Sequence, residues 1–123
     1  MIHLLSSFIE GLINFMLKLQ EIILLKHIVM WKVKNDSNET QFKQDLMGFK
    51  ARLEALKDAI PEIMELEVGI DINRSDKAFD ILLYTVFKDA AELDTYQKHP
   101  EHVKVKDFIT GLAYDRAVVD YHI

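Results

Sequence analysis

The residues with most capacity for chemistry fall in one short stretch, Tyr96 to Val103, where His99 and His102 bracket Pro100. Imidazoles accept, donate or ligate near neutral pH. Ahead of them, Ala90 to Lys98 carries helix-forming residues and an entry signal, Asp89 followed three positions later by Glu92. Pro100 stops that helix and pushes the preceding residue out of helical geometry, so His99 sits at the break and His102 lies beyond it in a new direction. A histidine at a helix exit also interacts favourably with the macrodipole and the last carbonyls, and on this stretch alone that structural role is the simpler reading. Pro100 prevents the two histidines from forming a regular helical ligand pair, and no third ligand is evident. Asp107 and Asp115 read as solvated loop carboxylates, so no metal is expected. Four scattered glycines, Gly11, Gly48, Gly69 and Gly111, give no phosphate-binding loop, and no serine or threonine has a nucleophile's context. No cofactor is expected.

A chain of 123 residues, half of them hydrophobic and 28% charged, is expected to form one domain with a sizeable core. A net charge of -5 without a basic cluster excludes phosphate-backbone binding, so nucleic acid is set aside as a partner. The absence of cysteine excludes a disulfide framework, a thiolate nucleophile and a zinc-thiolate site, and fits a cytoplasmic protein.

Residues 1–25 differ in composition from the rest. Read as a helix, Leu5, Phe8, Ile9, Leu12, Phe15, Met16, Leu19 and Ile23 share one side, with Ser6, Ser7, Glu10, Asn14, Lys18 and Glu21 on the other. This amphipathic helix lacks the basic start and small-residue cleavage site of a secretory signal. A membrane-surface helix carries several basic residues on its polar face and this one has Lys18 alone, so membrane contact is not expected unless through residues 1–25. A second reading stands beside the accessory helix, namely a mis-assigned start. Leu24 and Leu25 could be encoded by TTG, and Gln20-Glu21 by CAG-GAG, a ribosome-binding core.

The pattern of a folded domain occupies residues 26–123, in the order strand, helix, strand, strand, helix, strand. His27 to Val33 is rich in β-branched and aromatic residues and precedes the polar loop Asn35 to Asn38. Phe42, Leu46, Phe49, Leu53, Leu56 and Ile60 recur at spacings of three and four up to Pro61, which predicts a helix. Leu66, Val68, Ile70 and Ile72 alternate with Glu65, Glu67, Gly69 and Asp71, which predicts a strand with a wet face or at an edge. Phe79 to Phe87 is apolar on both faces, as a central strand is. The helix containing Tyr96 follows, then a short turn through Val103 to Leu112, and a last strand from Tyr114 to Tyr121. Right-handed crossovers put both helices on one face of the four-stranded sheet. The other face then keeps an apolar set that includes Val29 and Trp31, and a symmetric dimer closes it.

Several blocks together resemble, in order and spacing, the stress-responsive A/B barrel domain family. They are Lys26 to Lys32, Ile60-Pro61-Glu62-Ile63, Leu66-Glu67-Val68-Gly69, Leu93 to His102 and Val118-Val119-Asp120-Tyr121. The resemblance runs from Lys26 to Ile123. It implies an α+β, ferredoxin-like βαββαβ fold with a four-stranded antiparallel sheet, dimerising into an α+β barrel, with the N-terminal helix as an extra. Most bacterial members have no assigned activity and plant members are linked to stress. One plant member is a polyketide cyclase that catalyses an aldol condensation; there the positions matching His27 and His102 are catalytic and the one matching Tyr96 shapes the site. A further cyclase tyrosine aligns near Leu53, and that contact is missing here.

Three functions follow. The first is a homodimer that binds a small apolar or aromatic molecule in a pocket or barrel interior, with His27, Trp31, Tyr96 and His102 supplying polar and aromatic contacts and Val29, His99 and Leu53 also against the ligand. The second is a metal-independent, cyclase-like lyase performing proton transfer beside a carbonyl: His102 the base, Tyr96 orienting it or donating to the oxygen, His27 completing the pocket. In the third, the histidines only satisfy backbone groups in a structural dimer. Convergence of His27 and His102 on one pocket separates the first two from the third. Trp31 is expected in the core or on the shared face, where a charged replacement would weaken association.

Overall fold

The computed structural model describes residues 2–36 and 38–123, with 19–22 described by backbone alone; Ser37 of the first loop and the helix faces expected for Leu19 and Glu21 lie outside the described residues. The elements in chain order are α1 (Ile2–Ile22), β1 (Leu25–Val33), α2 (Glu39–Glu54), α3 (Leu56–Ala59), β2 (Glu65–Ile70), β3 (Ile81–Phe87), α4 (Ala90–Lys98), α5 (Pro100–Leu112) and β4 (Ala113–His122). The strands form one sheet in the order β2-β3-β1-β4, every neighbour antiparallel. This is the expected ferredoxin-like arrangement, with β3 and β1 inside and β2 at an edge. Ile72, expected to continue β2, lies beyond it in the loop and is exposed.

Alternation along β1 decides which side of the sheet is the interior. Leu25, His27, Val29, Trp31 and Val33 are buried, and the residues between them only half so. The buried set faces the helices: the Trp31 ring packs edge-on against Phe49 of α2 with centroids 5.2 Å apart. The expectation that Val29 and Trp31 lie on the uncovered face is therefore corrected. Period-two alternation fixes that they share a face, and the helical stripe decides which one. That stripe is as expected, for Phe42, Leu46, Phe49, Leu53, Leu56 and Ile60 are all buried. The helix is interrupted at Ala55, and α3 continues the same apolar line to Ile60.

Away from the helices, rows of apolar side chains cross the sheet. Tyr84, Ile28 and Val119 stand in one row, Leu82, Met30 and Ala117 in the next. Most are half-buried, Val119 is 53% exposed and Tyr121 42%. The short turn expected from Val103 to Leu112 is instead α5, 13 residues long. Pro100, expected only to end a helix, occupies the first turn of a new one, where its missing N–H costs nothing. At the domain's edge the Ile123 N–H donates to the Leu24 carbonyl at 3.1 Å. The described side chains of α1, residues 2–18, are exposed throughout. Among the described residues no helix is long and apolar enough to cross a membrane.

Candidate functional site

His27 is fixed from both neighbouring strands. Register sets it opposite Thr85 of β3 and Asp120 of β4. The buried Thr85 donates its hydroxyl to the His27 carbonyl at 2.8 Å. The Asp120 carboxylate meets His27 Nδ1 at 2.5 Å. A carboxylate only accepts, so Nδ1 carries a proton, and in the neutral ring Nε2 keeps its lone pair. The imidazole itself is 2% exposed, while Asp120 stays partly open to solvent at the sheet edge.

Aromatic rings set the next layer. Tyr96 of α4 presents its ring to His27 at 6.2 Å and to Phe87 at 4.9 Å, and is 1% exposed. Burial pushes its hydroxyl well above the ordinary tyrosine range, with the Arg116 charge opposing, so it stays protonated and able to donate. The break between α4 and α5 then aims His102. His99 is extended at the junction and its Nδ1 accepts from the Glu101 N–H at 3.1 Å, which caps α5. Nearly one turn into that helix, His102 stacks against Tyr96 with ring centroids 4.5 Å apart, and its Nδ1 donates to the Gln97 carbonyl at 3.0 Å. Desolvation lowers the His102 pKa below its ordinary 6.5; the Gln97 hydrogen bond opposes this, and the charges of His27, Lys106 and Arg116 add to it. At neutral pH His102 is therefore an uncharged ring whose Nε2 accepts.

These groups meet at one cavity of about 430 Å³. Its floor and walls are apolar, from Val29, Trp31, Leu53, Leu83, Val105 and Ile109. His27, Tyr96, Gln97 and His102 supply the polar part, and Lys106, Thr110 and Arg116 complete the lining. Two acceptor nitrogens and one donor hydroxyl on an apolar enclosure are equipped to remove a proton from a carbon acid while holding its oxygen. Among the described residues no cluster of metal-ligating side chains exists.

Of the residues singled out from the sequence, the cavity brings together His27, His102, Tyr96, Trp31, Val29 and Leu53. His99 is not among its walls; its Nδ1 caps the first turn of α5. Asp107 and Asp115, expected in loops, lie in α5 and β4. Sequence reasoning missed three groups: Asp120, Lys106 and Arg116. Asp120 requires the register of β4 on β1, and Lys106 requires α5 where the sequence suggests a turn; pairing the first strand with the last finds the former.

The family model described as the stress responsive A/B barrel domain matches residues 25–123. Among solved structures, a dimeric protein of unknown function and ferredoxin-like fold from Bacteroides fragilis is 32% identical, covering 81% of this chain and 96% of its own at a TM-score of 0.73. A dimeric ferredoxin-like protein of unknown function from Thermobifida fusca is 22% identical, with 82% and 92% covered and a TM-score of 0.67. The hydroxynitrile lyase of Passiflora edulis is 19% identical, with 83% and 94% covered and a TM-score of 0.68. No curated protein matches the chain.

Proposed function

Because the chain belongs to the stress-responsive A/B barrel domain family, whose fold serves more than one purpose, we propose from its own side chains that it is a proton-transfer enzyme acting beside the carbonyl of a small apolar or aromatic molecule. One observation carries this reading: a buried histidine on the wall of a largely apolar cavity, held at its Nδ1 by a carboxylate. A binding pocket needs a donor or acceptor. It does not need a carboxylate behind an imidazole, an arrangement that fixes the tautomer and stabilises the ring once it takes a proton.

The geometry favours His27 over His102 as the base. Protonated His27 sits 2.5 Å from Asp120, whereas protonated His102 would be desolvated beside Lys106 and Arg116. The roles assigned from sequence are thus exchanged. Tyr96, held protonated by burial, donates to the substrate oxygen as negative charge develops there, and neutral His102 accepts from a second polar group or hands the proton on. The reaction class is aldol or retro-aldol chemistry, in which a proton leaves or returns next to a carbonyl. The hydroxynitrile lyase of Passiflora edulis shares the fold alone at this identity.

The working unit of this proposal is a homodimer. The rows around Ile28 and Met30 leave apolar surface uncovered, and the structures from Bacteroides fragilis and Thermobifida fusca are described as dimeric. Simple ligand binding is the second reading, favoured by the apolar lining of the cavity.

The test follows exchange of the methyl protons of acetophenone in D2O by NMR. Wild type is expected to accelerate exchange over buffer, and His27→Gln and Asp120→Asn to lose roughly 10²-fold of that acceleration or more. Histidine ring signals that shift on adding acetophenone, with no exchange above buffer, would leave a binding protein and remove the enzyme.

A further inference from the structure

The charge of the cavity runs against the charge of the chain. The whole sequence carries -5. The ionisable groups on the cavity wall are His27, Tyr96, His102, Lys106 and Arg116, with no carboxylate among them. Neither Lys106 nor Arg116 takes part in an ion pair among the described residues. They arrive from two different elements. On α5, His102, Lys106 and Thr110 stand four residues apart and so share one face. From the sheet, Arg116 of β4 lies opposite Trp31 in register, on the same side as His27 and Val29. Both cations are close enough to act on His102, and the guanidinium also acts on Tyr96.

A lone surface lysine is solvated and implies nothing. Two unpaired cations from separate walls, beside apolar side chains and above a proton-transfer set, are a different arrangement. We propose that Arg116 and Lys106 form an anion subsite, and that the cavity takes a small oxo-carboxylic acid whose carboxylate pairs with Arg116. A guanidinium offers a carboxylate two parallel N–H donors, which fixes orientation as well as position. With the acid held there, the apolar body lies against Val29, Trp31 and Leu53, and the carbonyl is left for Tyr96 and His27. Lys106 adds charge without fixing direction. The substrate class so named rests on the proton-transfer reading, but the subsite itself does not.

The experiment uses two matched probes, 4-acetylbenzoate and its neutral isostere 4-acetylbenzamide, with binding read from the His27 and His102 ring signals by NMR and methyl exchange in D2O read in parallel. Wild type is expected to bind the acid at least about tenfold more tightly than the amide, the scale of one charge-assisted contact. Arg116→Gln is expected to abolish that preference, and Lys106→Gln to reduce it in part. Arg116 is exposed, so its replacement leaves the core intact. Equal binding of acid and amide, or a preference that survives Arg116→Gln, overturns the subsite and leaves the enzyme reading standing. Failure of both probes to perturb either ring at millimolar concentration also overturns it. An Arg116-dependent preference without exchange keeps the subsite and removes the enzyme.

Discussion

His27 and His102 share a cavity yet are prepared for opposite behaviour. The first has a carboxylate on its Nδ1, a partner able to pair with an imidazolium, and the second a peptide carbonyl. The consequence for His102 appears in stability. Its folded pKa lies below the ordinary 6.5 because burial disfavours the imidazolium. Between that lower value and 6.5 the unfolded chain binds a proton that the folded chain does not, so stability falls as pH drops through this window and is untouched above it. His102→Gln removes the effect. Urea midpoints of wild type and variant, compared at pH 7.5 and pH 5, are expected to diverge to the disadvantage of wild type at the lower pH. Parallel behaviour would mean that His102 charges freely in the fold. At this scale the sequence was informative about residue identity and silent about partners. His27, Tyr96 and His102 were legible because a motif carried them. Asp120 was not, because nothing local marks an aspartate that becomes a partner only through strand register.

Among the elements, α5 was hardest to foresee and does most to build the site. Val103, Val105, Phe108, Ile109 and Leu112 are spaced for a helix, but only Ile109 is fully buried, so the apolar stripe is weak. Pro100 compounds the difficulty, since a proline that ends one helix also suits the first turn of the next. The stronger stripe of α2 and α3, buried from Phe42 to Ile60, was legible in full. In this picture His99 belongs to the start of α5 and not to a ligand. His99→Ala is expected to cost about 0.5–2 kcal/mol, the range for losing a helix N-cap, with His99→Asn recovering most of it in urea denaturation. Binding of 4-acetylbenzoate to the folded variant should be unchanged within about twofold. A selective loss of binding without loss of stability would return His99 to the cavity.

For the whole molecule, the two faces of the sheet answer to different forces. Trp31 is core, packed on Phe49, so Trp31→Ala is expected to cost stability by about 3–5 kcal/mol, the range for emptying an aromatic core position. Val119 stands on the uncovered face and is half exposed, so Val119→Asp is expected to leave the protomer folded and shift it from dimer to monomer in light scattering. A dimer of unchanged mass in that variant would move the interface elsewhere. The bond between His27 and Asp120 spans 93 positions of sequence, joining the first strand to the last. A chain leaves the ribosome from its N-terminus, so His27 acquires its carboxylate only when β4 has emerged and docked. With β4 frayed from the edge, His27 has no carboxylate on its Nδ1. On the proposed reading, chemistry waits for β4.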